Sequence, residues 1–130
     1  MGAFNFQYRF ARKVECGAKL HTLRATRKDG KRPMVGHKMH AYEGMRTKKC
    51  RLLLVSTISK VEDIKITTDG RFTLGGYDCT ARVLNVDEAD TLARADGFTS
   101  VTEMFEWFKE THGLPFVGDL IHWRVDGDKQ

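Results

Sequence analysis

The chain reads as an α+β protein with a mixed or antiparallel, barrel-like sheet. Three observations point there. The element order along the 130 residues is strand, helix, several strands, two helices, strand. The helices cluster at two places and no βαβ rhythm appears, which argues against a doubly wound parallel sheet. The stretch Cys50–Lys60 is rich in Leu, Val, Thr and Ile, the composition of a central strand. The length suits one domain with a sizeable core.

Each element has a local reason. Phe4, Phe6, Tyr8 and Phe10 alternate as in a half-buried strand, while Phe6, Phe10 and Val14 recur at four, as on a helix face. Together they predict a strand near 3–6 and a helix from about Gln7 to Cys16, stopped by Gly17. His21–Arg24 is expected to run extended. Asp29, Gly30 and Pro33 make Ala25–Pro33 a turn or loop. Val35–Tyr42 reads as a strand, Glu43–Lys49 as a basic turn, and Cys50–Lys60 as the next strand. Val61–Thr67 and Arg71–Leu74 flank Thr68-Asp69-Gly70 as a hairpin, ended by Gly75-Gly76. Asp78–Val86 is ambiguous. Asp87–Ala95 is helical, with acids in its first turn to suit the macrodipole. Asp96-Gly97-Phe98 breaks it. Thr99 or Ser100 caps a final helix, with Glu103 at capping-box offset and Met104, Phe105, Trp107 and Phe108 as its core. Gly113 and Pro115 stop that helix near Thr111, and Leu120–Val125 is the last strand.

Charge is uneven. Residues 1–60 hold 15 Lys+Arg against three acids, a balance of +12, and residues 61–130 balance at −7. The basic half suits an anionic partner such as RNA or a nucleotide. The longest aliphatic run, Leu52–Val55, is too short for a membrane span, and no basic-then-apolar leader pattern opens the chain. No membrane partner is expected, and a cytoplasmic location follows. Cys16, Cys50 and Cys79 are odd in number and widely spaced, which suits free thiols better than a disulfide framework or zinc ribbon. His37 and His40 would face opposite sides of a strand, and His21, His112 and His122 add no ligand spacing. There is no Gly-rich phosphate loop and no G-x-S-x-G or H-E-x-x-H pattern. Neither a metal nor a cofactor is expected.

The most informative segment is Gly17-Ala18-Lys19-Leu20-His21-Thr22-Leu23-Arg24. Lys19 can serve as a base or a phosphate contact, Thr22 as a nucleophile or hydrogen-bond donor, and Arg24 as a permanent fork of donors. A polar turn leading into a strand has the same appearance. Arg27, Lys28, Lys31 and Arg32 form either a solvated loop or a phosphate-tracking arm. Lys48 and Lys49, in the turn with Arg46 and Arg51, are further candidates for phosphate contact. Tyr42 and Trp123 are candidates for base stacking.

Gly17-x-Lys19-x-x-Thr22-Leu23-Arg24 resembles the G-x-K-x-x-T-[IL]-R signature of ASCH domains, small PUA-like β-barrel proteins. Gly36 and the strand to Tyr42, Cys50–Val61, Asp96-Gly97-Phe98 with Glu103 and Trp107, and Gly118-x-Leu120-Ile121-x-Trp123 resemble later parts of that pattern in order. The resemblance spans about residues 4–125. It implies one domain over 1–125 with a polar tail at 126–130. The implied fold is a PUA-like barrel with a helix after the first strand and two helices before the last. It also implies RNA or nucleotide binding in a Lys/Thr/Arg pocket. Related members include acetylcytidine amidohydrolases, which use a Lys, a Thr and a carboxylate, and others reported as ribonucleases. Carried over, the first two are Lys19 and Thr22. The carboxylate is Asp96, where the amidohydrolases carry a Glu one methylene longer. The chain also departs from the pattern in an extra hairpin at 61–76 and the basic loop at 25–33. A hydrolase using Lys19, Thr22 and Asp96 is therefore the alternative to a binding module. A lysine withdrawn from water becomes a base near neutral pH, and Thr22 needs such a base to become a nucleophile.

Overall fold

The structure, a computed structural model, describes residues 2–26, 32–75 and 82–124. The described elements are β1 (Gly2–Phe6), α1 (Tyr8–Glu15), β2 (His21–Ala25), β3 (Lys38–Glu43), β4 (Arg51–Ile66), β5 (Phe72–Leu74), β6 (Arg82–Val83), α2 (Val86–Ala95), α3 (Val101–Thr111) and β7 (Phe116–Trp123). This is an α+β fold, as the element order predicted. Its seven strands pair along β1-β3-β4-β5-β6, with β7 joined to β4 and β2 joined to β7. The described ladders are antiparallel except β1 on β3. Among the described residues these pairings close no ring of the kind the expected barrel would have. The branch arises at β4, which is 16 residues long and engages three partners.

Two compact units divide the chain: Met1–His21, Pro33–Val61 and Ile121–Gln130 form the first, and Thr22–Arg32 with Glu62–Leu120 form the second. Strands β4 and β7 contribute residues to both. In the first unit, Phe6 of β1 faces Glu43 in register with β3, and α1 lies on β1 and β3. The helix buries Phe10, Ala11 and Val14, whose spacing gives it one apolar stripe. The unit's core adds Met39, Ala41, Leu53, Ile58, Ile121 and Trp123. At the end of α1, Gly17 takes φ +84°, a left-handed conformation that favours glycine. The Lys19 amide then donates to the Lys13 carbonyl at 2.9 Å, folding the chain back on the helix.

In the second unit, β4 and β5 form the expected hairpin, with Ile64 opposite Leu74 and Ile66 opposite Phe72. Helix α2 begins at a full capping box, Asn85 with Glu88. Helix α3 begins at Ser100, which accepts from the Glu103 amide at 3.1 Å. Leu23, Ile64, Ile66, Phe72, Ala93, Phe98, Met104, Phe108, Phe116 and Leu120 are the unit's core. Phe105 and Trp107 were expected there too but remain half-buried on the flanks of α3.

Three boundaries differ from expectation. Strand β3 starts at Lys38 rather than Val35, because His37 donates to Met34 in a turn around Gly36. The separate strands expected at 50–60 and 61–67 are the continuous β4, since no Gly or Pro interrupts 51–66. Strand β7 begins at Phe116, directly after Pro115, rather than at Leu120. It runs through Gly118, where a Cβ would come within 2.1 Å of the Arg24 carbonyl oxygen, so the approach of β2 leaves no room for a side chain. Val125, the 126–130 tail and most of the 25–33 loop lie outside the described residues.

Candidate functional site

Thr22, Arg24 and Asp96 all belong to the second unit. Thr22 and Arg24 sit two apart on β2, so their side chains leave the same face of the strand. Thr22 is buried, as is Leu23 on the other face. Arg24 is half-buried as a residue, but its Nε is sealed from water. Asp96, at the C-cap of α2, is 5% exposed. Its amide donates to the Leu92 carbonyl at 2.9 Å, and Gly97 follows with φ +106°, so the helix end fixes where the carboxyl group stands. Burial draws the Arg24 pKa down to about 10, and the nearby charge of Asp96 restores part of the loss. Charged groups are seldom buried without a partner, and here the two opposite charges are close enough to act on each other.

His112, at the C-cap of α3, belongs to the same electrostatic neighbourhood. Though the residue is exposed, desolvation of its ring lowers its pKa, and the charge of Arg24 lowers it further. Its ring stacks on Phe108 at 5.4 Å and meets Phe116 at 5.2 Å. Sequence reading missed it, having examined His112 only as a metal ligand. The signal present was its place one residue after a helix end, beside Gly113.

Lys19 belongs to the first unit. It is 2% exposed, with Nζ 5.3 Å from the centroid of the Phe10 ring. Its neighbour His21 is buried as well, with its ring edge-on to His122 at 5.5 Å. Lys19, Thr22 and Asp96 are thus three of the six buried polar or charged residues among those described, the others being His21, Ser56 and Asp119.

The other candidates are placed differently. Arg27, Lys28 and Lys31 lie outside the described residues. Arg32 is exposed but ion-paired with Asp63 and with the buried Asp119. The hydrogen bonds it donates to Asp119, then to Asp63, hold its guanidinium pKa above the usual range. Lys48 and Lys49 are exposed on the turn between β3 and β4. Tyr42 is half-buried on β3. Trp123 is a core residue at 3% exposure, edge-on to Phe6 at 6.1 Å, so its ring faces are not open to a base. Among the described residues, no group of three metal-ligating side chains converges, and no helix is long and apolar enough to cross a membrane.

Comparison with models of known protein families, with curated proteins and with solved structures found no match.

Proposed function

We propose that this chain is an ASCH-type, PUA-like protein that binds RNA or a nucleotide through Thr22, Arg24 and Asp96. The observation that carries this reading is the burial of Arg24 beside Asp96. Withdrawal of the guanidinium from water draws its pKa down to about 10, which marks a desolvation cost. Replacing both members of the pair by hydrophobic residues would avoid that cost, whereas removing Arg24 alone leaves the buried Asp96 carboxylate without that cation. An anionic ligand would reverse that cost, because phosphate beside Arg24 favours the charged form. The Asp96 carboxylate oxygens accept hydrogen bonds, which suits a base edge bearing an amino group, such as N4 of cytosine. Thr22 adds a hydroxyl that can donate or accept.

Arg24→Met tests this. Binding of a cytidine monophosphate, read by calorimetry, should fall at least tenfold, while the melting temperature drops and is partly restored by adding Asp96→Asn. Unchanged nucleotide binding in a folded Arg24→Met variant would reduce Arg24 to a structural role.

A second reading rests on the burial of Lys19 and Thr22, an amine and a hydroxyl three residues apart in the chain and both withdrawn from bulk water. Those are the parts of a base and a nucleophile for hydrolysing an acetyl amide on a pyrimidine or an RNA ester. Release of acetate from acetylcytidine by the wild type, lost in both Lys19→Ala and Thr22→Ala, would establish it. Absence of turnover in the wild type would leave the binding module.

A further inference from the structure

The first unit contains a cleft that the motif does not use. It has a volume of about 490 Å³ and lies between α1 and the base of the β3–β4 hairpin. That is within the usual range for ligand pockets. Its floor includes Ala11, and one rim is the outer face of α1, with Arg9, Arg12 and Lys13. The opposite wall is Arg51, held at 2.9 Å by Glu15 and at 3.0 Å by Glu43. The lining holds four cations, Arg9, Arg12, Lys13 and Arg51, against two carboxylates, Glu15 and Glu43, so its net charge is positive. Tyr8 stands at the entrance with 85% of its surface in water, the most exposed large hydrophobic residue among those described. The basic turn with Lys48 and Lys49 joins Glu43 to Arg51, so it leaves from the cleft wall. Asn5 accepts from the Met45 amide at 2.9 Å, which ties that turn to the end of β1, three residues before Tyr8.

We infer that this cleft docks a stretch of single-stranded RNA, with Arg9, Arg12 and Lys13 on the phosphates and Tyr8 stacking a base. An exposed aromatic ring beside a row of cations is the arrangement that grips single strands without reading sequence. An acidic peptide would use the cations but gain nothing from the ring. A duplex keeps its base faces stacked and could use only the charge. The inference rests on the nucleic-acid reading of this protein but not on the Arg24 site, and the two are separable by ligand length.

The experiment measures binding of cytidine monophosphate and of uridine and cytidine homopolymers of four, eight and twelve nucleotides. It uses wild type, Tyr8→Ala, Arg12→Glu and Arg24→Met, each checked for native circular dichroism. All the α1 changes are at exposed positions, so folding should be retained. Affinity should rise with length in the wild type. Tyr8→Ala should weaken the twelve-mer by about 5- to 150-fold, the equivalent of one stacked base at 1–3 kcal/mol, and leave the mononucleotide unchanged. Arg12→Glu should also lower the salt slope for the twelve-mer by at least about 0.7. Loss of mononucleotide binding in Arg24→Met with a retained effect of Tyr8→Ala would show two separate sites. Equal twelve-mer binding by wild type and Tyr8→Ala would overturn the inference. So would polyglutamate binding as tight as RNA, which would make the cleft a docking site for an acidic protein.

Discussion

Arg24 and Arg32 are both arginines beside carboxylates, and the molecule uses them in opposite ways. Burial lowers the pKa of Arg24, whereas hydrogen bonds to Asp119 and Asp63 raise that of Arg32. The second arrangement is a tie. Asp119 is almost wholly buried, and Arg32 keeps over a third of its side chain in water. Removing the arginine leaves a buried carboxylate without its cation. Arg32→Ala should therefore cost about 1–3 kcal/mol, the penalty for an unsatisfied buried group, reduced because water can reach the site. Adding Asp119→Asn should recover part of the loss, as urea melts of the single and double variants would show. Equal stability of Arg32→Ala and wild type would mean that the pair is ornamental. The sequence marked Arg32 as a phosphate contact because its neighbours are cationic. Its acidic partners are 31 and 87 residues away, beyond the reach of any local pattern.

At the level of elements, what could be read locally was read well. Helix α1 followed from the spacing of Phe10 and Val14, and its end from Gly17. Helix α3 followed from Ser100, Glu103 and Gly113. The boundaries that moved, at β3, β4 and β7, are those set by partners distant in sequence, since a strand continues for as long as a neighbour pairs with it. The start of α2 is local again. Asn85 accepts from Glu88 at 2.8 Å, and the Asn85 amide donates back to the Glu88 carboxylate at 3.0 Å. Asn85→Ala should cost about 1 kcal/mol, measured as a shift in the denaturant midpoint at constant m-value. Helix α3 carries a pH response at its other end. A helix C-terminus ordinarily favours protonated histidine, yet the pKa of His112 is lowered by desolvation of its ring and by the Arg24 charge. The unfolded chain therefore binds this proton more readily, so stability is full above a pH of about 6.5 and falls as the pH drops through that value. His112→Gln should flatten the dependence between about pH 7 and pH 5. An unchanged slope in the variant would assign the acid sensitivity to other groups.

For the whole molecule, charge follows the units more sharply than mean composition suggests. The first unit contains twelve lysines and arginines against four acids, and the second contains ten against thirteen. The split between residues 1–60 and 61–130 anticipated a basic portion but misassigned the 22–32 segment, which falls in the acidic unit. A polyanion should therefore draw most of its ionic contacts from the first unit, and salt should reveal it. With three to five phosphates neutralised, the slope of log K against log salt for a single strand is expected near −2 to −3.5. Exchanging Arg12 or Lys48 for Glu removes a contact from the basic unit and should bring the slope toward zero by about 0.7 or more. Arg71, exposed on the second unit and within 3.5 Å of Asp69, is the control. Arg71→Ser should leave both slope and affinity within error, because its cation already has a carboxylate beside it on a unit of net negative charge. Titration of a twelve-nucleotide strand at four salt concentrations against the three variants and wild type would measure these differences. If Arg71→Ser flattened the slope as much as Arg12→Glu, binding would respond to total charge alone and the assignment to the first unit would fail.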